Sequence, residues 1–77
     1  MQQDVRQLVG MNVRRVRLAT DLSQAALASL LGIDRAYVSG LEQGARNPTV
    51  VTLWHFSVAL KVPIDELLRP ISGPDVP

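Results

Sequence analysis

The sequence predicts an all-α domain, a compact bundle of five short helices. Three observations lead there. Apolar residues recur at helical spacing between closely placed breaks, and no alternating strand pattern competes with them. Two of the helices are short and separated by only about three residues, one of them Gly32. A chain of 77 residues has room for one core and no second one. At this size folding buries only about 60% of the unfolded surface, so self-association is expected to complete the burial.

Helix one is expected over about Asp4 to Ala19, where Val9, Val13 and Val16 form a stripe that Val5 and Leu8 extend backward. It ends at Thr20-Asp21, where Asp can adopt the left-handed conformation of a helix terminus. Ser23 is a good N-cap for helix two, with Leu22 placed to staple against Leu27. Leu27, Ala28 and Leu31 face inward, and Gly32 closes the helix. Ile33 is read as a buried plug in the turn and Asp34 as the N-cap of helix three, which runs to about Gln43 and Gly44. Asn47-Pro48-Thr49 turns the chain into helix four, with Val50, Leu53, Phe56, Ser57 and Leu60 inward. Val62-Pro63 breaks that helix. Ile64-Asp65-Glu66-Leu67-Leu68 opens a short fifth one, with two acids where the helix dipole favours them. The domain is expected over 1–68, with a flexible tail over 69–77. Helices two and three, joined by their tight glycine turn, have the helix-turn-helix arrangement.

Composition narrows the chemistry. With 0 Cys and 1 His, disulfides, thiol chemistry and zinc clusters are excluded, and no cofactor or metal site is expected. The N-terminus lacks the build of a signal peptide, and the longest weakly polar stretch, Val50 to Leu60, is far short of the about 20 residues of a membrane span. A cytoplasmic protein without a membrane partner follows. The net charge is only +1, but its distribution is uneven. Through Arg46 the chain carries six Arg against four acids, and beyond it two basic residues against three acids. All but one of the basic residues are arginine, whose planar fork suits phosphates and guanine edges.

Leu22-Ser23-Gln24-Ala25-Ala26-Leu27-Ala28, Leu31-Gly32-Ile33-Asp34-Arg35, Val38-Ser39-Gly40-Leu41-Glu42-Gln43-Gly44 and Arg46-Asn47-Pro48-Thr49 resemble the Cro/phage-repressor (XRE) family of helix-turn-helix regulators. The likeness spans roughly Val9 to Leu68 and implies a lambda-repressor-like DNA-binding domain. Within that family, the run from Asp34 to Glu42 followed by Arg46-Asn47 looks like the restriction-modification controller proteins, which are dimeric. The resemblance implies that Ser23 and Gln24 contact DNA at the start of helix two, Gln24 also bracing helix three. It makes Arg35, Ala36, Ser39 and Gly40 the groove-facing positions. Tyr37 corresponds to a residue lying along the DNA backbone, and Arg46 with Asn47 to a phosphate-gripping loop. Arg17 and Glu42 correspond to a buried ion pair tying helix one to helix three. The chain departs from the family at Asp21, where Gly is common, and at Ala25 and Ala26, one of which is commonly Glu. Ala36 and Gly40 stand where relatives place long base-reading side chains, so direct readout is expected to rest on Arg35, with help from Ser39 and DNA shape.

The residues themselves leave some choices open. Asp34 is first of all a cap. Arg35 sits at a helix N-terminus, where a cation is disfavoured by a few tenths of a kcal/mol, which calls for a reason such as bidentate pairing with guanine. Gly40, costing about 1 kcal/mol against Ala in a helix, serves either close approach to a groove or helix packing. Ser39 either bonds a base or back-bonds to its helix. Tyr37 is either a half-buried amphipathic residue or a phosphate contact. Arg14 and Arg15 read as surface charges. Val51, Trp54 and Val58 recur on a second face of helix four. Either another segment covers them or they join Ile64, Leu67 and Leu68 in a dimer interface. His55, between the stripes, has neither a nucleophile nor an acid nominated to work with it.

The function expected is a sequence-specific double-stranded DNA-binding transcriptional regulator, acting as a homodimer on two half-sites. The rival reading is a protein-interaction module, an antitoxin or adaptor whose second apolar stripe binds another protein. An enzyme is not expected.

Overall fold

The computed structural model describes residues 4–70 of the chain. Among them are four α-helices, α1 (Val5–Ala19), α2 (Gln24–Leu31), α3 (Arg35–Glu42) and α4 (Val50–Leu60), followed by a 3-10 turn (Ile64–Leu68), and no strand. The fifth element is therefore a single tight turn rather than an α-helix. Five residues held between Pro63 and the extended Arg69 are too few for a run of α-type bonds.

The helix boundaries follow local chemistry. Asp4, Ser23 and Thr49 each accept a hydrogen bond on the side chain from a backbone N–H of the first turn they cap. Asp34 occupies the equivalent place before α3 with an extended backbone, but its side chain makes no such bond. All four helices end alike. A residue in the left-handed region, in turn Asp21, Gly32, Gly44 and Lys61, follows the helix. The next N–H then reaches back to a carbonyl five residues earlier: Leu22 to Arg17, Ile33 to Ala28, Ala45 to Gly40 and Val62 to Ser57. The left-handed turn expected at Asp21 is present, with φ at 60°.

The core lies where the helices converge. Val9, Val13 and Val16 of α1 meet Leu27 and Ala28 of α2, Val38 and Leu41 of α3, Leu53, Phe56 and Leu60 of α4, and Leu67 of the turn. α1 packs along α3 and the 3-10 turn, and α2 packs against α3 and α4. Three residues expected to be buried are not. Val5 is exposed because it precedes the part of α1 that has a neighbour. Ile33 is 37% exposed, since the turn directs it along the surface instead of into the core. Val50 is 69% exposed at the first position of α4, where no described residue covers it.

One polar residue is central to this packing. Asn12 stands at an inward position of α1, between Val9 and Val13, and is fully buried. Its Nδ2 donates to the carbonyls of Leu67 at 3.2 Å and Arg69 at 2.7 Å. Its Oδ1 accepts from the Arg15 guanidinium, which also bonds the carbonyl and carboxylate of Glu66. Arg15 is thus half of a clasp on the 3-10 turn rather than a free surface charge. The clasp also reaches the Arg69 carbonyl, tying the first residue of the expected tail to α1. The rest of that tail, 71–77, lies outside the described residues.

α1 and α3 come unusually close at Gly10. A Cβ there would lie 2.7 Å from the Glu42 carbonyl oxygen, so the helix backbones touch at a spot where no side chain fits.

Candidate nucleic-acid interface

α3 is amphipathic, and its inward face fixes the other. Val38, Leu41 and Glu42 are buried. Arg35, Ala36, Ser39, Gly40 and Gln43, spaced one, three and four apart, share the remaining outward side. Arg35 and Ala36 are exposed, and Ser39 and Gly40 partly so. The structure therefore brings the four expected groove-facing positions together on one accessible face. Gln43, exposed at the C-terminal end of that face, was not among the sequence candidates. Its spacing of four from Ser39 was the available signal, and its Nε2 donates to the Ser39 Oγ at 3.4 Å.

The orientation of this face depends on a charged joint beneath it. Arg17 and Glu42 lie side by side, Nε to Oε2 at 2.6 Å and Nη2 to Oε1 at 3.0 Å. The remaining Arg17 nitrogen donates to the Leu22 carbonyl at 2.8 Å, and Gln24 Nε2 donates to Glu42 Oε1 at 3.0 Å. One carboxylate thus ties α1, the start of α2 and the end of α3. The hydrogen bonds that Arg17 donates to Glu42 raise its pKa above the ordinary value, with burial opposing. Gln24 braces α3 as the family resemblance implies. Ser23 is exposed, but its Oγ is engaged by the Ala26 N–H at 2.9 Å in capping α2.

A second group flanks the C-terminal end of α3. After Gly44 the chain doubles back and carries Arg46 over the Tyr37 ring, with the guanidinium carbon 5.2 Å from the ring centroid. Tyr37 is half-buried and rests on Phe56, ring centroids 6.4 Å apart. Asn47 follows, exposed. Among the described residues neither Arg35 nor Arg46 has a carboxylate partner, whereas Arg6, Arg15, Arg17 and Arg69 do. Arg14 and Lys61 also lack one, but they lie on α1 and at the end of α4, whereas Arg35 and Arg46 adjoin α3.

Elsewhere, Val51, Trp54 and Val58 remain 59%, 56% and 58% exposed on α4. No described segment covers them. Of the other expected interface residues, Leu68 is exposed and Ile64 half-buried. Leu67 is a correction: at 0% exposure it is a core residue and has no surface to offer a partner. The turn's tight period directs it inward beneath the Asn12 clasp. Among the described residues there is no group of three or more His, Cys, Asp or Glu arranged to hold a metal, and no helix long and apolar enough to cross a membrane.

Comparison with known proteins agrees with this geometry. The helix-turn-helix family pattern matches residues 13–67. An HTH-type transcriptional regulator of Sinorhizobium fredii, y4dJ, is 43% identical over 67 residues, covering 87% of each chain. The control protein C.SmaI of Serratia marcescens is 35% identical over 65 residues, 84% of this chain and 77% of that one. Among solved structures, the restriction-modification controller protein C.AhdI of Aeromonas hydrophila superimposes with a TM-score of 0.77 at 40% identity, covering 80% of this chain and 94% of its own. With the α2–α3 pair, its buried brace and these relatives all in agreement, the chain belongs to the XRE-type helix-turn-helix family of transcriptional regulators.

Proposed function

We propose that this protein is a cytoplasmic, sequence-specific double-stranded DNA-binding regulator of the restriction-modification controller type, working as a two-fold dimer. The observation that carries this reading is the outward face of α3, flanked by two arginines without carboxylate partners and braced from behind by a buried ion pair. In this account α3 enters the major groove. Arg35 pairs with guanine O6 and N7, and the small Ala36 lets the helix lie close to the groove wall. Ser39 supplies one further polar contact. Ser23 and Gln24 present the N-terminus of α2, with its free N–H groups, to one phosphate run. Arg46, Asn47 and Tyr37 approach the other. Phosphate contacts set the register, and Arg35 carries the greater part of the base discrimination.

Dimerisation rests on the exposed α4 stripe. Val51, Trp54 and Val58 form an apolar stripe of the kind that marks a contact site, and Leu68 and Ile64 of the 3-10 turn are assigned to the same interface. Two copies joined there present two α3 helices to half-sites about 34 Å apart, one turn of B-DNA. Dimerisation that depends on concentration is the proposed control. The controller-type relatives support this reading, and the same stripe is what a protein-interaction module would use instead.

Selection of duplexes from a random pool with the purified protein, followed by hydroxyl-radical footprinting, tests the proposal. Enrichment of one motif, protected as two patches about 10 base pairs apart, supports it. A pool that remains random after repeated rounds refutes it.

A further inference from the structure

Gly40 has a physical reason that lies outside its own helix. A Cβ built there would meet the Arg46 side chain, with Nε at 3.1 Å, Cγ at 3.3 Å and Cδ at 3.7 Å. The missing side chain is therefore a slot, and Arg46 lies in it. The slot is filled because of the way α3 ends. Gly44 takes φ 79°, Ala45 N–H bonds the Gly40 carbonyl itself at 2.9 Å, and Gly44 N–H bonds that of Leu41 at 3.0 Å. This closure returns the next residue, Arg46, across the last turn of the helix. Tyr37, one turn before Gly40, forms the far wall, and the guanidinium stops over its ring within cation–π range.

We infer that Gly40 is a positioning residue for nucleic-acid binding, acting through Arg46: it leaves the groove across α3 in which Arg46 is laid against Tyr37, so that the guanidinium is held on the DNA-facing surface before DNA arrives. This rests on the DNA-binding reading above and goes beyond it. Gly40 is not a contact in its own right. An exposed arginine normally samples many rotamers and loses that freedom on binding, a loss that preorganisation reduces. The helix-weakening glycine is the local cost of that arrangement.

The test uses the full chain as wild type, Gly40→Ala, Arg46→Ala and the double variant. The added methyl meets only the movable end of Arg46, and Ala is the better helix former, so Gly40→Ala is expected to melt no lower than wild type. In DNA-free protein, NMR should show the Arg46 δ-methylene protons shifted upfield by the Tyr37 ring, and shifted back toward ordinary positions in Gly40→Ala. Affinities are then read on a fluorescent duplex from the selection and on a random-sequence duplex. Gly40→Ala should weaken binding by about tenfold, the scale of one charge-assisted hydrogen bond, and the double variant should be no weaker than Arg46→Ala alone. Additive losses in the double variant would overturn the inference, because Gly40 would then act by its own approach to the groove. Arg46 protons that Gly40→Ala leaves unmoved would overturn it as well. A wild-type protein with no sequence preference would refute operator recognition. In that case the NMR shifts and the random-duplex cycle would still decide the role of Gly40.

Discussion

Arg17 and Glu42, 25 residues apart in sequence, share two parallel hydrogen bonds with side chains only 8% and 3% exposed. Removing one partner strands the other in a place water does not reach. Glu42→Ala should cost about 3–5 kcal/mol in urea unfolding, with Arg17→Ala similar. Replacing both with Met should cost less than either single change, since no charge remains uncompensated. The arginine's raised pKa has a definite sign: the stability it reports is fully present below the unfolded arginine value and is lost as pH rises through the higher folded value. Titration of Arg17 therefore adds no pH dependence near neutrality.

Gly10→Ala should destabilise despite alanine's better helix propensity. The new methyl would run into the Leu41 and Glu42 carbonyls, which are backbone and cannot turn away. An overpacking cost of about 1–3 kcal/mol is expected. Thermal melting would show it, and an unchanged midpoint would mean that α1 and α3 separate more easily than this packing implies.

Lys61 closes α4 at φ 61° without being glycine. A left-handed conformation costs an L-residue about 1–2 kcal/mol, so Lys61→Gly should stabilise the fold by about 1 kcal/mol. For a domain of this size that corresponds to a rise of about 4–8 °C in melting temperature. Asp21→Gly, at the end of α1, should act in the same direction.

The stripe on α4 makes a prediction about assembly. Trp54→Glu or Val58→Lys places a charge in the proposed interface, and sedimentation equilibrium should show the dimer weakened by at least tenfold while the circular dichroism spectrum is retained. Dimerisation unaffected by both changes would remove this surface from the account.

These residues also show what the sequence could and could not reveal. The caps Ser23 and Thr49, the left-handed closures at Asp21, Gly32 and Gly44, and the valine stripe of α1 are local signals, each legible within a few residues. Together they were enough to place the α2–α3 pair. The failures were questions of who covers whom. Val50 sits at the right period but at the first position of α4, and Ile33 sits in a turn, and no described neighbour buries either. Leu67 was assigned to a partner because the α1 surface that buries it comes from more than 50 residues away. Asn12 is visible as a polar residue in an apolar stripe, yet its acceptors, the carbonyls of Leu67 and Arg69, belong to the far end of the chain. For Gly40, the unfavourable helix position was readable and its reason was not, because Arg46 reaches it only after the turn at Gly44.

In the proposed function α3 reads base sequence and Arg35 carries most of the discrimination. Fluorescence anisotropy of wild-type and Arg35→Ala protein, on the selected duplex and a shuffled one at two salt concentrations, tests it most directly. Wild type should prefer the selected duplex by about a hundredfold or more, with salt weakening both complexes. Arg35→Ala should lose about 1–3 kcal/mol of that preference while binding to the shuffled duplex falls far less. Equal affinity of the wild-type protein for the two duplexes, or a preference that survives Arg35→Ala unchanged, would contradict the account.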